Sequence, residues 1–193
     1  MKPILGVVSV LVLTVVISAT VFVALQPTDS APKAADLNQV NGNGLVGDDA
    51  FVDKDTPTKN FGSSPVLWAD GESEKISYIK LNLASLAGKD IKSANLHLFV
   101  NNPALQPSQI WDVPTSSWTG DTITYNVRPL LGSQIGTING GTAGSWLDVD
   151  LTQFVKDNVG KVVSIAITTN DPGGLSFNSS KAPFNKLELQ IVE

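Results

Sequence analysis

A chain of 193 residues, 42% hydrophobic and 16% charged, is long enough for one domain with a full apolar core and too hydrophobic to be disordered. Its net charge of −5, with no run of Lys or Arg, excludes the basic footprint that nucleic acid requires. The absence of cysteine and the single histidine exclude thiolate chemistry, disulfides, Cys-based zinc sites and any multi-histidine metal centre; 16 Gly and 11 Pro favour short strands joined by turns.

The first element in chain order is apolar. From Ile4 to Leu25 about 22 residues pass without a charge, and roughly 20 suffice to span a bilayer core. Lys2 and the α-amino group precede this run and Asp29 is the next charge, so the N-terminus stays inside and everything after the run is exported. Residues 1–25 therefore read as a signal peptide or membrane anchor, and the expected location is extracellular or at the cell surface. The run is longer than a secretory h-region, and a cut after Ala24 would place Phe22 at the −3 position, which favours a retained anchor. Pilin-like processing after Gly6, leaving an apolar helix for filament assembly, is a further alternative. Residues 26–47 mix Pro, Ala, Asn and Gly without periodicity and read as a linker.

From Asp48 to Glu193 the apolar residues recur with period two, the spacing of a strand with one buried face. The rows Ile79, Leu81, Leu83, then Leu96, Leu98, Val100, then Leu147, Val149, Leu151 predict strands, as do Val163, Ile165, Ile167 and Leu187, Leu189, Ile191. Shorter strands are expected near Ala50–Asp53, Val66–Ala69, Gln109–Val113, Thr122–Tyr125, Ile135–Ile138 and Leu175–Asn178. Asp70-Gly71, Asn101-Asn102-Pro103, Asn139-Gly140-Gly141 and Asp171-Pro172-Gly173-Gly174 supply turns between them. One short helix is predicted near 151–159, with Asp150 and Gln153 at capping-box spacing and Gly160 to close it. Together these predict an all-β fold over 48–193: an antiparallel β-sandwich of jelly-roll type.

Specific residues resemble a known family. Asp49-Ala50-Phe51-Val52-Asp53, followed by Pro57-Thr58-Lys59-Asn60-Phe61-Gly62-Ser63-Ser64, is similar to the opening of DNRLRE-type carbohydrate-binding modules. Such modules recur in secreted bacterial proteins and in archaeal surface proteins related to disaggregatase. Ser77–Leu83 with Ser93–Leu98 resembles the family's paired strands, and Trp118, Thr124-Tyr125-Asn126 and Arg128-Pro129 resemble its W-x-E-x-x-T-W-x-x-x-P signature. Trp146–Thr152 and Ser176–Ser180 followed by Leu187 resemble its last two elements. Gly120 or Asp121 stands where the family often has Glu, Tyr125 where it has Trp, and Lys181 where it has an acid. The resemblance implies a jelly-roll module that binds acidic or neutral polysaccharide.

The candidate chemistry lies on outward faces. By alternation Trp146 projects outward with Asp148 and Asp150, and an indole face can stack on a sugar ring. If the strands 77–83 and 94–100 form a hairpin, Tyr78 and Lys80 stand beside His97, a trio able to move protons as a polysaccharide lyase must. Arg128 and Asn126 offer a planar donor fork and an amide for glycan hydroxyls or carboxylates, against the alternative that Arg128 pins its own loop. Trp118, Tyr125 and Pro129 read as a structural corner. No nucleophile elbow, phosphate loop or marked carboxylate pair is present, so no catalytic residue and no cofactor are expected. Asp48, Asp49, Asp53, Asp55 and Asp70 supply hard oxygens, which leaves a structural calcium ion as an alternative. Asn178-Ser179-Ser180 fits an N-glycosylation sequon.

The expected function is a surface-associated, non-catalytic carbohydrate-binding or adhesion module, with a polysaccharide or cell-surface glycan as partner and the membrane contacted through residues 4–25 if they are retained. One alternative is a structural subunit of an extracellular filament or surface layer, its partners further copies of the chain. The other alternative is the lyase.

Overall fold

A computed structural model describes residues 39–40 and 44–193. The reading of residues 4–25 as an apolar export segment, and most of the linker reading, lie outside the described residues. The strands are β1 (Gln39–Val40), β2 (Val46–Asp53), β3 (Val66–Ala69), β4 (Lys75–Asn82), β5 (Ser93–Asn102) and β6 (Ser108–Val113). They continue as β7 (Gln134–Ile138), β8 (Ser145–Asp150), β9 (Val162–Thr169), β10 (Leu175–Asn178) and β11 (Glu188–Val192), with one α-helix among the described residues, α1 (Thr152–Asn158).

These strands build the expected antiparallel β-sandwich. One sheet has the order β1-β11-β5-β10-β3, with β8 on the free edge of β5; the other has the order β2-β4-β9-β6-β7. The period-two rows face each other between the sheets. Ile79, Leu81, Leu96, Leu98, Val100, Ile165, Ile167, Leu189 and Ile191 are buried in one cluster with Leu67, Ile110 and Phe177. Removing each such side chain from water contributes roughly 1.5–3 kcal/mol, which is why the alternation in sequence fixes which face turns inward.

The two outer faces differ. On the β2-β4-β9-β6 sheet, the outward residues Ala50, Val52, Ile76, Tyr78, Ala166 and Val113 form a second apolar cluster with Trp118 and Ile123 of the 114–131 segment. That segment lies over the sheet as a lid. Trp118 donates its indole N–H to Ser164 Oγ at 3.1 Å and meets the Tyr78 ring edge-on at 6.0 Å. The Tyr78 hydroxyl donates to the Pro129 carbonyl at 2.8 Å, and Asn60 Nδ2 donates to the carbonyls of Gly120 and Ile123 at 2.6 and 2.7 Å. Gly62 is required where the lid meets the β2-β3 loop, because a Cβ there would sit 2.1 Å from the Gly120 carbonyl oxygen. Trp118, buried, and Pro129, half-buried, thus form a structural corner.

Asp48 and Asp49 lock the lid and the β10-β11 loop to β2. Asp48 accepts the Gly120 amide at 2.5 Å, and Asp49 accepts the Ser180 amide at 2.6 Å. Lys181 pairs with both carboxylates, at 2.9 and 2.7 Å, and also donates to the Asp49 carbonyl at 2.6 Å.

Four expectations are corrected. The strands 77–83 and 94–100 are not a hairpin: β4 pairs with β2 and β9, while β5 pairs with β8, β10 and β11 in the other sheet. Thr122–Tyr125 is not a strand, because the amides of Thr122 and Ile123 turn back to the Thr119 carbonyl and the lid passes into a 3-10 turn at Tyr125–Val127. The capping box does not form: Asp150 accepts the Thr152 amide at 2.8 Å, but Gln153 reaches forward to Asp157 at 2.9 Å. Finally, β2 begins at Val46, and Gln39–Val40 pair with Val192 and Ile191, so part of the 26–47 stretch joins the sheets.

Two outcomes follow for stability. Tyr78→Phe strands the Pro129 carbonyl under the lid and should cost about 1 kcal/mol, seen as a lower urea midpoint with unchanged slope. At Asp48, burial pushes the carboxyl up, but the Gly120 amide and the Lys181 ammonium outweigh it and hold the group below its ordinary value of 3.8. Its contribution is therefore complete above that value and lost as pH falls through the lower folded value. Lys181→Met leaves the buried Asp49 carboxylate without its cation, so at pH 7 it should cost about 3 kcal/mol by chemical denaturation. It should also flatten the fall in stability between pH 4 and more acid conditions.

Candidate functional site

With one outer face under the lid, the outer face of the β8-β5-β11 sheet remains open. Alternation places Trp146, Asp148 and Asp150 of β8 there beside Asn95, His97, Phe99 and Asn101 of β5 and Glu188 and Gln190 of β11. The register sets them in rows across the strands: Trp146 opposite Phe99, Asp148 opposite His97 opposite Glu188, and Asp150 opposite Asn95 opposite Gln190.

The rows are joined diagonally at Trp146. Its indole stacks on the His97 ring with centroids 4.0 Å apart and an interplanar angle of 9°, and it meets the Phe99 ring edge-on at 5.4 Å. His97 Nδ1 is hydrogen-bonded to Asp148 Oδ1, so the ring beneath the indole is itself held. The result is a large aromatic, 41% exposed, braced from two sides on a rigid sheet. A braced indole loses little freedom when a second flat apolar surface is laid on it.

The rim continues past Phe99. Asn101 Nδ2 donates to Asn178 Oδ1 at 2.9 Å, and Asn178 Nδ2 donates to the carbonyls of Phe184 and Asn185 at 3.1 and 3.2 Å. This fixes the β10-β11 loop, with Asn185 at φ 51° and the Phe184 ring 78% exposed. Phe184 is a residue the sequence reading missed. Its only signal was an aromatic outside any alternating row, next to Pro183.

The other sequence candidates are dispersed. Tyr78 is fully buried under the lid, and burial pushes its phenol well above its ordinary range. Lys80 also faces the lid, with its ammonium hydrogen-bonded to the Trp118 carbonyl and 4.8 Å from that indole's centroid. Neither lies in the sheet that carries His97, so the proton-transfer trio does not assemble. Arg128 lies over the Tyr125 ring at 3.6 Å, donates to the Tyr125 carbonyl at 2.6 Å and stands 3.8 Å from Glu74. It pins its own loop. Asn126 is exposed beside it, and its backbone N–H donates to the Pro57 carbonyl at 3.1 Å.

The five aspartates do not converge: among the described residues no three metal-ligating side chains cluster. Asp53 accepts the Asp55 amide, and Asp70 accepts the amides of Glu72 and Ser73 while pairing with Lys75. The sequon is tied up as well, since the Asn178 amide is fully engaged and Ser179 is fully buried.

The model of carbohydrate-binding module family 96 matches residues 45–193, which hold strands β2 to β11. No curated protein matches the chain.

His97 is a positioning residue for the indole. His97→Ala should lower stability by about 1 kcal/mol, the scale of an aromatic pair, and should change the near-ultraviolet circular dichroism as Trp146 loses its support.

Proposed function

Because the chain belongs to carbohydrate-binding module family 96, we propose that it is an exported, non-catalytic binding module that holds a glycan against Trp146 on the open sheet face. The single observation that carries the site is the half-open indole braced by His97 and Phe99. The C–H faces of a sugar ring are apolar and flat, so they pack on an indole, while the ring's hydroxyls point outward to polar neighbours. Asp148 and Asp150 offer acceptors beside the indole, and Asn95 and Gln190 offer both donors and acceptors.

The same arrangement supports a non-catalytic reading. Tyr78 and Lys80 are committed beneath the lid, and the open face holds only one histidine, already bonded to Asp148. The apolar run at residues 4–25 would export the module and keep it at the cell surface.

Affinity gel electrophoresis over a panel of polysaccharides tests this reading. The wild-type chain should be retarded by at least one of them, and Trp146→Ala should weaken that retardation at least tenfold, about 1.4 kcal/mol, with its circular dichroism in the far ultraviolet unchanged. Equal retardation of wild type and Trp146→Ala would contradict the site.

A further inference from the structure

Beyond Phe99 the open face continues to a second exposed ring. Strand β5 is flanked by β8 on one side and by β10 on the other. The strand that carries Trp146 and the strand that ends at Asn178 therefore lie about 10 Å apart, two strand spacings. Phe184 follows Asn178 in the β10-β11 loop, and at 78% exposure it is the most open aromatic among the described residues.

A phenyl ring left in water adds nothing to the core, yet the backbone beneath this one is held from both ends. Asn101 fixes the Asn178 amide, which donates to the carbonyls of Phe184 and Asn185. Earlier in the loop, Ser179 Oγ donates to the Ser64 carbonyl at 2.7 Å, while Ser180 and Lys181 are tied to Asp48 and Asp49. Asn185 turns the chain after the ring at φ 51°, a left-handed conformation that Asn tolerates better than most residues. A ring set in place before a ligand arrives loses little freedom on binding.

The surface around the two rings is polar and carries both signs of charge. Asn101 lies on it, and the exposed Lys186 and the half-buried Glu188 stand on its rim. A groove of about 600 Å³ runs beside Phe184, lined also by Lys186, Leu187 and Glu188, which is the size of a site for an organic ligand. Among the described residues β8 is an edge of its sheet, so a bound chain can continue past Trp146.

From this arrangement we propose that Phe184 is a second stacking platform, and that the face takes an extended internal stretch of polysaccharide lying on both rings. The proposal rests on the reading of Trp146 as a glycan platform. A sugar ring is comparable in size to the six-membered ring of the indole, so one sugar covers only one of the two aromatics. Several linked sugars reach both, and the hydroxyls of those at the Phe184 end meet Lys186 and Glu188. Once one end is seated, the second contact is intramolecular, so affinity rises with chain length until both rings are covered.

The test starts from gels of mannan, xylan, a β-glucan, polygalacturonate and alginate. The dimer, tetramer and hexamer of a polymer that retards the full chain are then titrated by calorimetry. Wild type should bind the hexamer at least about tenfold more tightly than the dimer. Phe184→Ala changes an exposed ring and should leave the far-ultraviolet circular dichroism unaltered. It should bind the hexamer about tenfold more weakly, the scale of one lost aromatic contact, and leave the dimer unaffected on the larger indole. Trp146→Ala should weaken both. A hexamer that binds wild type no more tightly than the dimer would overturn the proposal and leave the Trp146 platform standing. Hexamer binding that Phe184→Ala does not weaken would do the same. Self-association that Phe184→Ala removes, with hexamer binding unchanged, would make the ring a protein contact and also overturn it. Oligomer binding unmoved by Trp146→Ala, or no retardation by any polymer, would overturn the platform and the proposal together.

Discussion

Two adjacent aspartates at the start of the first long strand determine which surface of this sandwich is free. Asp48 and Asp49 bond to Gly120 of the lid, Ser180 of the β10-β11 loop, and Lys181, which bridges them. A buried carboxylate is costly unless paired and hydrogen-bonded, so these contacts are obligatory once β2 is placed. They draw the lid over the β2-β4-β9-β6 sheet and fasten the β10-β11 loop to that sheet's edge. The Lys181 ammonium bridges the two carboxylates and completes their pairing.

The covered face and the open face consequently have different chemistry. Beneath the lid the polar groups are spent internally: Tyr78 on Pro129, Trp118 on Ser164, Trp111 on Thr168. On the open face Asp148, His97 and Trp146 form a short chain of support that ends at solvent. Rigid strands hold an aromatic more exactly in place than a loop would, which suits recognition. The half-open indole makes this face the one we propose for a glycan.

The rows of the core were legible because period two has a single physical cause, one face buried and one not. Ile79, Leu81, Leu96, Leu98, Ile165 and Ile167 all turn inward as their alternation requires. Alternation does not say to which sheet a strand belongs, however. Strands β4 and β5 follow one another in sequence yet lie in opposite layers, and this separates Tyr78 and Lys80 from His97. Nor does it say whether an outward face is wet: Tyr78 is outward on β4 and still fully buried, because a segment with no regular pattern of its own covers it. Trp146 was legible because no such segment crosses β8. Phe184 was not, since an exposed ring on a loop leaves no period, and its placement depends on an Asn178 amide reaching across the loop.

The central claim, that a glycan rests on Trp146, is tested most directly by following the four indole N–H signals in a nuclear magnetic resonance titration with a soluble oligosaccharide. The Trp146 signal should move in a saturable way, while those of Trp111 and Trp118, bonded to Thr168 and Ser164, stay fixed. Saturable movement of Trp68, Trp111 or Trp118 with Trp146 unmoved would contradict the account.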